Sequence, residues 1–145
     1  MAASVGLLPS SLQSSLQQIL QRVNKCNGGI RVILLSTAEG VPLARVYADS
    51  SQPLNEDVLS AIESTWAPAS KQCPMLNMGK EVKTVTAIYD HGILMHVYQV
   101  PLVLTILGNP QANIGVLRST AIPLLKEVLE PLCSTLLNSL APGRD

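Results

Sequence analysis

Residues 82–108 hold three runs of strand-forming residues separated by two very short breaks. The runs cover 82–89, 93–100 and 102–108. The breaks fall at Asp90-His91-Gly92 and around Gln99-Val100-Pro101. A parallel return needs a crossover of a dozen or more residues, and neither break has room for one. The three strands must therefore run antiparallel, as a meander. Few other arrangements of the chain are compatible with that block.

The flanking segments fill in the rest. Leu12, Leu16, Ile19, Leu20 and Val23 recur at helical spacing, with Ser10 or Ser11 as cap. Asn27-Gly28-Gly29 ends that helix, because Asn and Gly tolerate the left-handed conformation. Residues 30–36 and 41–48 read as a hairpin about Glu39-Gly40, with Pro42 tolerable near a strand start. Asn55 caps a helix whose first turn carries Glu56 and Asp57, the charge sign its dipole favours. Pro68 should stop or kink it, leaving residues 68–79 as a loop. A long helix starts at Asn113, with Leu117, Ala121, Leu125, Leu129 and Leu132 on one broad stripe. Pro123 and Pro131 predict curvature or a break in it.

The order is helix, two strands, helix, three strands, helix. It predicts an α/β sandwich with a five-stranded, mostly antiparallel sheet. One domain spans 11–140, between a lead (1–10) and a tail (141–145). The helices either cover both faces of the sheet or leave one open to a partner.

Composition narrows the function. Apolar residues make up 47% of the chain and charged ones 14%, against about 25% charged in typical domains. Such a surface suggests that another protein covers part of it. The net charge is zero and no basic cluster forms, which argues against nucleic acid. Cys26, Cys73 and Cys133 are odd in number and far apart, as free thiols in a reducing compartment would be. The start does not read as a signal peptide, and no apolar run approaches 18 residues, so a membrane location requires another protein.

Chemistry is thin. His91 falls in a turn and His96 in a strand, and only Asp90 stands close to either in sequence. Gly79-Lys80 is followed by Glu81, not by the Ser or Thr of a phosphate loop. No catalytic residue, cofactor site or metal site is expected. An interaction protein is favoured over an enzyme. A small ligand-binding domain or enzyme of profilin-like shape would need a pocket gathering His96 with acids.

The strand at 82–89 contains no proline and one charge. Such a strand is a hazard at a sheet edge unless it pairs with something. Val82, Lys83, Thr84, Val85, Thr86, Ala87, Ile88 and Tyr89 are therefore candidates for pairing with a partner's strand, or for a central strand of their own sheet. Leu59, Ile62 and Trp66 form a helical stripe that is either core or interface. The opposite helix face, with Ser60, Glu63 and Ser64, is small and partly polar and would let two helices approach.

One resemblance joins these features. Gly40-Val41-Pro42, Ser64-Thr65-Trp66-Ala67, Leu76-Asn77-Met78-Gly79-Lys80, Tyr98-Gln99-Val100-Pro101-Leu102-Val103-Leu104 and Ala112-Asn113-Ile114-Gly115 occur in the order seen in MP1-like adaptor subunits. The chain resembles that group of the roadblock/LC7 superfamily over about three quarters of its length. The resemblance implies a non-catalytic scaffold without cofactor, paired with a p14-like roadblock subunit. The two sheets would join edge to edge through the third strand, with the middle helices side by side. It further implies other Ragulator-like subunits, Rag GTPases, TOR-linked nutrient signalling and MAP kinase pathway components as partners. The setting would be the cytoplasmic face of late endosomes and lysosomes, reached through a lipidated partner. A self-associating roadblock module of a motor or GTPase regulator is the alternative within the superfamily.

Overall fold

The computed structural model describes residues 10–49, 55–72, 83–99 and 101–140. Helix α1 (Ser10–Asn24) leads into strands β1 (Ile30–Thr37) and β2 (Pro42–Tyr47). Helices α2 (Glu56–Glu63) and α3 (Trp66–Gln72) follow, then β3 (Thr84–Tyr89), β4 (Gly92–Gln99) and β5 (Leu102–Gly108). A short helix α4 (Ile114–Val116) runs through a π-helical turn (Leu117–Ala121) into α5 (Ile122–Leu140).

The five strands form one antiparallel sheet in the order β2-β1-β5-β4-β3. The first hairpin and the meander are as the short gaps demanded. β5 inserts between β1 and β4, so β3 stands at the edge. Local chemistry sets the element ends. Asn27 adopts φ 63° and Gly28 N–H returns to the Val23 carbonyl at 3.1 Å, which closes α1. The Asn24 side chain then both donates to and accepts from Ile30, tying α1 to the start of β1. The Asn55 carboxamide accepts from Asp57 N–H at 2.7 Å and caps α2, and the Asn113 carboxamide caps α4 by accepting from Val116 N–H.

The stretch expected as a loop from Pro68 is helical as far as Gln72. Pro68 is the third residue of α3, where its missing N–H has no bond within the helix to lose. The wide turn at Leu117–Ala121 comes just before Pro123, whose ring does not fit a tight turn there. Pro131 is carried inside α5.

The two faces of the sheet differ sharply. On one, α1 and α5 bury Leu16, Leu20, Leu125 and Leu129 against Leu35, Met95, Leu104 and Ile106. Truncating such a leucine costs about 2–5 kcal/mol. On the other, the buried cluster among the described residues is Val32, Leu34 and Leu59, flanked by Tyr47, Ile62 and Leu107. The thinner face carries the candidate site.

Candidate interaction surface

Among the described residues β3 pairs with β4 alone. The Lys83 carbonyl accepts from Tyr98 N–H at 2.8 Å, and this fixes the alternation of the ladder. Val85, Ala87 and Tyr89 follow Lys83 in bonding toward β4. The peptide groups of Thr84, Thr86 and Ile88 point outward. Ile88 is 71% exposed and Tyr89 61%, so the strand's side chains are as open as its backbone. The opposite edge is different. β2 starts with Pro42, its pairing slips at Leu35/Ser36, and the Gln17 amide covers the Tyr47 carbonyl at 3.1 Å. Proline, a bulge and a covering helix are each devices that blunt an edge.

Beside β3 lies a groove of about 310 Å³, lined by Ala61, Ile62 and Thr65 of the α2–α3 segment and by Tyr89, His91, Gly92, Leu94 and Leu107 of the sheet. Its walls are almost wholly apolar. Above it, α2 is held less by apolar burial than by charge. Arg45 of β2 is 4% exposed and donates to both carboxylate oxygens of Glu63, from Nε at 3.2 Å and Nη2 at 2.7 Å. Its Nη1 reaches Glu56. The hydrogen bond that Arg45 donates to Glu63 raises the Arg45 pKa still further, against the opposing effect of burial. Two-point contact of this kind fixes orientation as well as charge.

The far end of α2 is held through His96. Its ring nitrogens lie 2.6 Å from Thr65 Oγ1 and 2.8 Å from Thr105 Oγ1. Burial pushes its pKa down to about 4. Trp66 packs over it edge-on, with ring centroids 6.1 Å apart, and also lies against Tyr98 at 5.4 Å. So a neutral imidazole fills the floor beneath the α2–α3 junction. Among the described residues, no group of three or more His, Cys, Asp or Glu is placed to hold a metal ion. None of their helices is long and apolar enough to cross a membrane.

A family model described as "Mitogen-activated protein kinase kinase 1 interacting" matches residues 11–136. The chain belongs to that family. The Ragulator complex protein LAMTOR3 homolog of Drosophila melanogaster is 29% identical over 110 residues, 74% of this chain and 82% of that protein. Among solved structures, the gliding protein MglB of Thermus thermophilus aligns with a TM-score of 0.71 at 14% identity, covering 89% of this chain and 96% of that one. A roadblock/LC7 domain from Streptomyces avermitilis aligns at 0.60 and 15% identity, covering 80% and 96%. The fold is therefore the α/β roadblock/LC7 fold, with its five-stranded sheet.

The residues singled out from the sequence divide in two. Thr84, Val85, Thr86, Ala87, Ile88 and Tyr89 form the outer strand, with exposed Lys83 before it; Val82 lies outside the described residues. Ile62 is half-buried in the groove wall. Leu59, Glu63 and Trp66 are turned into their own chain, at 0%, 1% and 2% exposure. Glu63 was expected on the open helix face beside Ser60 and Ser64; Arg45 draws it inward instead. Sequence reasoning gave Arg45 and Thr105 no role, and named Thr65 only within the Ser64-Thr65-Trp66-Ala67 motif. One signal was available: Arg45, His96 and Thr105 each stand alone between two apolar residues of a strand.

Proposed function

We propose that this domain is one half of a roadblock pair, a scaffold subunit whose β3 edge adds to the sheet of a p14-like roadblock subunit. The single observation that carries this is the open outer edge of β3, proline-free from Thr84 to Tyr89, beside an apolar groove and opposite a blunted β2 edge. Strand addition of this kind takes its affinity from main-chain hydrogen bonds and its specificity from neighbouring pockets. The similarity to the Drosophila LAMTOR3 homolog supports a Ragulator-like complex as the setting. In that setting the pair would serve Rag GTPase and TOR-linked signalling, with MAP kinase components as further clients. It would lie on the cytoplasmic face of late endosomes and lysosomes, held there by another subunit.

Native mass spectrometry of the chain with and without a p14-like subunit tests the pairing. A 1:1 complex is expected from wild type and not from Thr86→Pro. The Thr86 N–H points away from β4, so proline there removes an outward donor and spares the internal ladder. Circular dichroism should show the variant folded. A complex that forms equally well with Thr86→Pro refutes edge pairing. A homodimer indifferent to the added subunit would favour a self-associating module.

A further inference from the structure

The buried polar side chains of this domain gather on its thin face. Leu34 lies opposite both Arg45 and Thr105, Thr105 opposite His96, and His96 opposite Val85. Arg45, Leu34, Thr105, His96 and Val85 thus form one row across all five strands, ending on the open edge. Residues directly opposite in an antiparallel ladder share a face. Thr65, at the α2–α3 junction, closes this row from above.

The hydrogen bonds assign every proton in the row's polar end. The Thr65 hydroxyl has one hydrogen, and the Ile62 carbonyl 2.8 Å away can only accept it. The 2.6 Å contact with His96 must then be donated by Nε2–H. Nδ1 is left as an acceptor, 2.8 Å from the Thr105 hydroxyl. A single neutral tautomer satisfies all three residues. Thr65 is exposed at its outer end and also forms part of the groove wall facing Tyr89. Of the α2 side chains only Leu59 and Glu63 are buried, so the pose of this helix depends on its polar pins.

We propose that Thr65, His96 and Thr105 form a positioning relay. It fixes the α2–α3 junction over the sheet, sets the width of the groove against Tyr89, and through that sets the affinity for the subunit that adds to β3. The proposal rests on the pairing reading above and names the device that tunes it. Thr65 lines the groove, while Thr105 is fully buried two strands away from the edge. The relay therefore connects the sheet interior to the docking surface.

The test uses the full chain and a p14-like roadblock subunit as probe. Long-range nitrogen–proton NMR should place the His96 proton on Nε2. Thr65→Ala should weaken binding about tenfold, the scale of one lost hydrogen bond, and release His96 into a mixture of tautomers. Thr65→Ser should restore both readouts. The thermal midpoint should fall by several degrees in Thr65→Ala, because the buried His96 Nε2–H loses its acceptor, and recover in Thr65→Ser. Unchanged affinity in Thr65→Ala, or a proton on Nδ1 in wild type, overturns the relay while leaving the pairing intact. A wild-type chain that does not bind the subunit overturns both.

Discussion

His96 should make the stability of this domain depend on pH in a defined window. Its imidazole is 2% exposed and is held neutral, with a pKa lowered by burial from 6.5 to about 4. Below pH 6.5 the unfolded chain takes up a proton at this residue, whereas the folded chain resists until about 4. The unfolded state then binds more protons, so stability falls as the pH drops through the window and levels off beneath it. At roughly 1.4 kcal/mol per pH unit, the full effect is about 3 kcal/mol, most of it lost between about pH 7.5 and about pH 4.5. Urea unfolding of wild type and of His96→Gln at a series of pH values isolates the residue, because the other titrating groups cancel in the difference. The variant should be less stable near neutrality and should lose less on acidification. Parallel curves across the window would show that the folded domain accepts the proton at His96 freely, and the account of a sealed, neutral floor would fail.

Two further outcomes follow from the same face and from the cysteines. Arg45→Ala strands the Glu63 carboxylate at 1% exposure, and should cost about 3–5 kcal/mol by urea titration. Arg45→Met combined with Glu63→Leu should recover most of that loss, and a double variant as unstable as the single one would contradict the ion-pair reasoning. Cys26 is exposed, whereas Cys133 is buried with its pKa raised, first by burial and then by Glu130. A thiol reagent should therefore label Cys26 rapidly and Cys133 only on unfolding, as peptide mapping would report.

Much of the architecture was legible because it is set by short-range geometry. The gaps at 90–92 and 99–101 leave no room for crossovers, and Asn27, Asn55 and Asn113 mark helix ends through bonds to their immediate neighbours. The place of β3 was not decided, because edge or centre depends on β5 reaching back to β1 across some seventy residues of chain. Trp66 and Leu59 carried both core and interface readings, and only the packed fold turns them inward. Glu63 was misplaced for a different reason. At about 100° per residue it stands about 40° from Leu59, so the helical projection already puts it beside the buried stripe, and an arginine on β2, at the far side of the sheet from β3, meets its charge there. Pro68 was read as a stop because its rank within the following helix is invisible until the start of α3 at Trp66 is known. The relay was hidden most deeply. His96 and Thr105 look like ordinary interruptions in apolar strands, Thr65 like part of a polar helix end, and their meeting depends on cross-strand register and on how α2 lies over the sheet.

The unequal borders of the sheet limit how far assembly can go. At β2, Pro42, the slipped pairing and the Gln17 amide leave poor purchase for another backbone. The strand addition proposed at β3 would therefore consume the one receptive margin among the described residues in the first step. On this chain's side the joined sheet then presents only the blunt β2 margin, which offers no means of continuing into a polymer.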